Sequence, residues 1–279
     1  MGRISRSFEL VKASWAVLKA DKELLALPVM SAIASIAIAA TFVVPIFLTT
    51  DGTAAETTLT PLQYVLIFLM YVVLAYVTIF FNAALVHAAN QRMEGGDPTL
   101  GTALRGAASL AVTILPWAIV SATVSVVLRA IEERAGFIGR IVVGFIGLAW
   151  TLVTYLVLPI LVLERMSVGD AIKESAAMFK RTWGENVTAQ LGFGLIAVLA
   201  ALPAVAVGAL AASQGGAVAV VGIGVAVLTV IVIAVVMAAL SGIFQTALYR
   251  YARTGTSGGA FDDALLSQTF APKRGRGLI

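Results

Sequence analysis

The sequence predicts an all-α membrane protein with six transmembrane helices, and three observations carry that prediction. Six long stretches are almost wholly apolar, charged residues are scarce, and Lys and Arg fall on alternate sides of the stretches. Sixty per cent of the 279 residues are hydrophobic and only 12% are charged, about half the charge of an ordinary soluble domain. Too few charges remain to coat a globular surface, so the apolar excess is expected to face lipid.

A helix crosses roughly 30 Å of hydrocarbon with about 20 apolar residues. Stretches of at least that length lie at 24–48, 62–88, 109–128, 137–163, 188–212 and 217–249. Apart from Arg140 at the start of the fourth, none holds Asp, Glu, Lys or Arg. The first has too long an apolar run for a signal peptide and follows 23 residues rich in bases and aromatics, so it is expected to be retained. Pro116, Pro159 and Pro203 fall in the third, fourth and fifth. There they are expected to kink helices whose freed backbone groups neighbours satisfy. The sixth exceeds what a bilayer requires; it is expected to tilt, to break near Gly222 and Gly224, or to extend into water beyond Tyr249.

The bases set the orientation. Sixteen of the 19 Lys and Arg residues flank the stretches on the side of the two termini; the other three are Arg129, Arg134 and Arg140, in a loop that also holds Glu132 and Glu133. By the positive-inside rule both termini are cytoplasmic. The net charge of +4 is accounted for by topology and contacts to anionic lipid, so no nucleic-acid partner is expected.

Three segments on the basic side have the pattern of short interfacial helices. Over 170–183, Ile172, Ala176, Phe179 and Trp183 share a face, with Lys173, Glu174, Lys180 and Arg181 turned away. Leu100, Leu104, Ala107 and Ala111 repeat this with Arg105 on the polar side, as do Phe8, Val11, Trp15 and Leu18 beside Lys12 and Lys19. Two readings fit: a helix lying among anionic headgroups, or a docking face for a protein partner in the cytoplasm. The candidate residues for either are Ile172, Lys173, Phe179, Lys180 and Trp183. Val11-Lys12-Ala13-Ser14 and Leu104-Arg105-Gly106-Ala107 can each be laid on Ile172-Lys173-Glu174-Ser175. If these matches reflect duplication, the fold is three units of short helix plus transmembrane hairpin. The tail 254–279 is expected to be mostly flexible, with a short helix after Phe261 and a basic end at Lys273, Arg274 and Arg276.

Chemistry-bearing residues are few. With no cysteine, disulfides and thiolate metal sites are excluded. One histidine, His87, cannot build a two-histidine metal site, and is expected at the interface, bonded to headgroups or a helix end. No nucleophile elbow or phosphate loop appears, so neither catalysis nor a cofactor is expected. The polar residues within or beside the spans are Asn82, His87, Thr154, Tyr155, Gln190 and Gln245. Such groups either bond neighbouring helices or line a path.

Trp150-Thr151, Thr154-Tyr155, Pro159, Glu164, Ala171-Ile172-Lys173-Glu174-Ser175 and Trp183-Gly184-Glu185 form a further pattern. With Phe8, Ser14-Trp15, Phe261-Asp262 and Pro272-Lys273, it resembles a family of uncharacterised prokaryotic six-span membrane proteins. More distantly, the architecture is similar to the membrane domains attached to some bacterial glycerophosphodiester phosphodiesterases. The resemblance implies a bacterial or archaeal cell-membrane protein and supplies no catalytic residue. The expected role is a non-enzymatic binding, envelope-organising or accessory component; the alternative is a channel or transporter of small solutes or lipids.

Overall fold

The structure, a computed structural model, describes residues 3–48, 60–181, 186–257 and 261. They form helices α1 (Arg3–Ala20), α2 (Glu23–Leu48), α3 (Pro61–Met93), α4 (Leu100–Ala108) and α5 (Ala111–Arg134). Then come α6 (Phe137–Val153), α7 (Val157–Glu164), α8 (Val168–Arg181), α9 (Asn186–Gln214) and α10 (Gly216–Thr254), with no strand among the described residues. Six helical stretches are long and apolar enough to cross a membrane: α2, α3, α5, α6 with α7, α9 and α10. The chain is an all-α, multi-pass membrane protein.

Local sequence sets the helix ends. Pro61 stands at the first position of α3, where its missing N–H is no loss, and Thr60 and Gln63 form a reciprocal capping box. Thr99 and Thr102 do the same for α4. Gly95, at φ 84, takes the left-handed turn that ends α3. The carboxylate of Glu23, in the first turn of α2, accepts the Leu100 N–H at 2.6 Å, fixing the start of α4 against the start of α2.

Burial is concentrated at one end. Apolar residues from the last third of α3 (Ala83–Ala89), the last third of α10 (Ala239–Tyr249) and most of α7 form one cluster with Leu24, Leu27, Ile114 and Trp117. Stacked rings lock it: Trp117 on Trp150 at 6.2 Å, and Phe193 on Phe244 at 5.2 Å. At the other end large apolar side chains stand outward, including Ile33, Leu62, Phe137, Phe145 and Val220. Water would penalise that surface; hydrocarbon does not. Glycines let helices close up where this matters: a methyl on Gly208 would lie 2.7 Å from the Ala226 side chain, and one on Gly242 2.5 Å from Leu85. α10 runs unbroken through Gly222 and Gly224.

The short helices α1, α4 and α8 surround this core, and each buries part of the expected stripe (Leu18, Ala107 and Phe179) on a face turned toward neighbouring positions. α1 buries Leu10, Ser14, Val17 and Leu18, while Phe8 and Trp15 are about half exposed. α8 buries Ala171, Ser175, Met178 and Phe179, with Ile172 only partly covered. A small residue, Ser14, Ala107 or Ser175, lies at the centre of each buried face, where it lets the short helix approach the bundle closely. In the alignment that places Ser14, Ala107 and Ser175 in register, the positions four before (Leu10, Ala103, Ala171) and three after (Val17, Leu110, Met178) are buried as well. The order of one short helix and two apolar spans also recurs three times, counting α6 with α7 as one.

The single helix expected at 137–163 is two helices, with Thr154, Tyr155 and Leu156 between them. The tail beyond 257, Phe261 excepted, and Trp183 lie outside the described residues.

Candidate functional site

The break in the fourth span brings together more of the polar candidates than any other place in the described residues. Its origin is Pro159, which has no N–H to donate to the carbonyl four residues earlier, that of Tyr155. The chain answers with a turn. Tyr155 N–H bonds Leu152 C=O at 3.4 Å, and Val157 N–H bonds Thr154 C=O at 3.1 Å. Three backbone groups are thereby freed from regular helical pairing: the carbonyls of Val153 and Tyr155 and the N–H of Leu156. Unpaired at membrane depth, each would cost several kcal/mol.

Two side chains from other helices satisfy all three. Ser175 Oγ, on α8, donates to Val153 O at 2.6 Å and accepts from Leu156 N at 3.2 Å. Gln245 Nε2, on α10, donates to Tyr155 O. The Thr154 hydroxyl turns back to Trp150 O at 2.7 Å. Ser175 itself is 1% exposed. The arrangement is a neutral latch whose donors and acceptors match one another.

Below the latch lies a charged network. Arg253 pairs with Glu164 at 2.9 Å and reaches Glu174 at 3.7 Å, and the Tyr249 hydroxyl donates to Glu164. Arg253 and Tyr249 on α10 thus clasp the end of α7 and the middle of α8. On the neighbouring side Arg250 donates to Asn90 Oδ1 at 2.6 Å and pairs with Glu94 at 2.8 Å, tying α10 to α3. Arg165 closes α7 in the left-handed region at φ 54. α8 begins with a reciprocal cap: Ser167 Oγ donates to Asp170 at 2.7 Å and accepts from its N–H at 3.2 Å. That hydrogen bond, with Lys173 beside it, holds the Asp170 carboxyl below its ordinary range.

The remaining candidates are scattered. His87 has a partly buried ring that lies over Gly106 of α4, where a Cβ would fall 2.7 Å from the ring Cγ. Asn82 is partly buried on α3. Gln190 lies in α9, with its side chain outside the described part. Lys173 and Lys180 are exposed, and Lys173 pairs with Asp170 at 3.4 Å. No three His, Cys, Asp or Glu side chains gather as a metal site among the described residues. Ser175 and Arg253 escaped the sequence reading. Ser175 was legible as the polar member of a small-residue stripe, Ala171–Ser175–Met178, but nothing in the sequence shows a partner 22 positions away.

No curated protein matches the chain. Residues 61–259, from the start of α3 to just beyond α10, match a family model described as a family of unknown function, DUF6159. That stretch contains the latch, the charged network and five of the six spans, and the chain therefore belongs to the DUF6159 family.

Proposed function

We propose that the protein is a non-enzymatic binding, envelope-organising or accessory component of a prokaryotic cell membrane, with both termini in the cytoplasm. The observation that carries this reading is the latch. The side-chain donors at the break are each taken up by a backbone carbonyl: Gln245 by that of Tyr155, Ser175 by that of Val153 and Thr154 by that of Trp150. A solute path needs donors and acceptors facing a shared space; here these donors are used on the backbone of the broken span. The 16-to-3 distribution of bases supports the orientation. In that orientation the core, α1, α4 and α8 lie on the cytoplasmic side, and the exposed Phe8, Lys12, Trp15 and Lys19 of α1 suit anionic headgroups or a protein partner. The buried register shared by Leu10, Ala103 and Ala171 supports three related units. Kinship with the membrane domains of phosphodiesterases belongs to the same proposal.

A second reading is favoured by the break itself, because discontinuous helices form the binding sites of many transporters. Proteoliposomes decide between the two. Purified protein should show no solute-specific flux above empty vesicles, while native purification in lipid retains a stoichiometric partner or ligand. Saturable flux of one solute would overturn the first reading in favour of the second.

A further inference from the structure

At the hairpin end of α5 and α6 lies an open cleft of about 650 Å³. Its α5 wall is the stripe Ser125, Leu128, Arg129, Glu132 and Glu133; its α6 wall is Arg140, Val143, Gly144 and Gly147. Both stripes follow helical spacing, so each is one face of its helix. The charges are not spread along them. All four cluster beside the Ala135–Gly136 turn, and the deeper part is small or apolar. From Arg140 to Gly147 the floor runs seven residues, about 10 Å into the span. A Cβ added to Gly144 would meet nothing within 4 Å. The cleft is vacant in depth and charged at its mouth.

The mouth carries both signs. Arg129 is fixed: it pairs with Glu133 at 3.3 Å and donates to the Tyr71 hydroxyl at 2.8 Å. Arg140 donates through Nε to Ala135 O at 3.3 Å. Among the described residues it has no carboxylate partner, and Glu132 has no cationic one. A guanidinium and a carboxylate without ionic partners, lining one cleft at the end of a span, are complementary to a zwitterion.

We infer that this cleft binds a phospholipid with a primary-ammonium headgroup, a phosphatidylethanolamine. Its phosphate meets Arg140, its ammonium meets Glu132, and an acyl chain lies along Gly144 and Gly147. An anionic headgroup would set its charge against Glu132, and a trimethylated ammonium cannot donate hydrogen bonds to it. The apolar depth selects a lipid over a free phosphoamine. The site is independent of the latch and of the role drawn from it.

Native mass spectrometry and thermal-stability titration of the purified protein test the inference. The probes are phosphatidylethanolamine, phosphatidylcholine, phosphatidylglycerol and soluble O-phosphoethanolamine. The ethanolamine lipid should bind about tenfold more tightly than the other two lipids, a difference of roughly 1.4 kcal/mol, and the soluble headgroup should not compete. Arg140→Gln and Glu132→Gln should each abolish that preference. Gly144→Leu, which adds its side chain in open space and leaves the fold intact, should weaken all three lipids. Equal binding of the three lipids would overturn the proposal. So would a preference that survives both charge substitutions, or competition by O-phosphoethanolamine at parity.

Discussion

The hydroxyl of Ser175 donates to the carbonyl of Val153 at 2.6 Å, joining the middle of α8 to the last residue of α6. This contact explains why a helix that looks interfacial in sequence lies against the bundle. α8 repairs the backbone that Pro159 disrupts, and Gln245 completes the repair from α10.

Substitutions in the latch should rank by the number of backbone groups they strand. Ser175→Ala leaves two unpaired and Gln245→Leu leaves one, at roughly 1–3 kcal/mol for each buried group. Unfolding of purified protein in detergent should therefore show the larger loss for Ser175→Ala. An equal or smaller loss would mean that water or another group already serves the break.

Gly106 and His87 should couple with a change of sign. In the native protein Gly106→Ala places a methyl against the imidazole and should destabilise by about 1–3 kcal/mol through overpacking. In a His87→Ala background the same substitution should stabilise, because Ala exceeds Gly in helix propensity by about 1 kcal/mol. A double-mutant cycle on thermal stability reads the coupling.

Arg165→Gly should raise stability by about 1 kcal/mol. The native residue holds a left-handed conformation at φ 54 that glycine adopts without strain. The variant keeps the Glu164–Arg253 pair, so its unfolding midpoint isolates the backbone effect. No gain would show that the Arg165 side chain has a compensating contact.

Asp21 links α1 to α2 and is buried; its Oδ1 accepts the Glu23 N–H at 3.2 Å, while its Oδ2 has no partner. Burial pushes the carboxyl above its ordinary value, against the opposing effects of the Glu23 N–H and Arg92. The folded state thus binds the proton more tightly than the unfolded one. Stability should fall as pH rises from the ordinary carboxylate pKa through the raised folded value, and stay lower at neutral pH. Asp21→Asn keeps the acceptor and loses the charge. It should be more stable than the native protein near pH 7, and the gap should close on acidification.

Much of the fold is legible in the sequence because lipid imposes a length and a composition on every span. The short helices are harder. Hydropathy points to Phe8 and Trp15 on α1 and to Ile172 on α8, whereas the faces that pack are led by Leu10, Ser14 and Val17 and by Ala171, Ser175 and Met178. Close approach at the centre of each face favours Ser14 and Ser175, and an apolar stripe does not register a serine. Pro159 announces a disturbance, but the repair joins residues 19 and 90 positions apart. The pairs Arg253–Glu164 and Arg250–Glu94 are likewise invisible until helices from different hairpins meet.

The central claim is that the latch closes the broken span against water, and the absence of native cysteine allows one direct measurement. Ser175→Cys places a small thiol at the latch, and Ser109→Cys places one at an exposed helix junction as control. In proteoliposomes opened to both sides, a membrane-impermeant maleimide should label Cys at 175 about a hundredfold more slowly than at 109. That ratio corresponds to a local opening cost of roughly 3 kcal/mol. Comparable labelling rates at the two positions would show that water reaches the break, and would contradict the account.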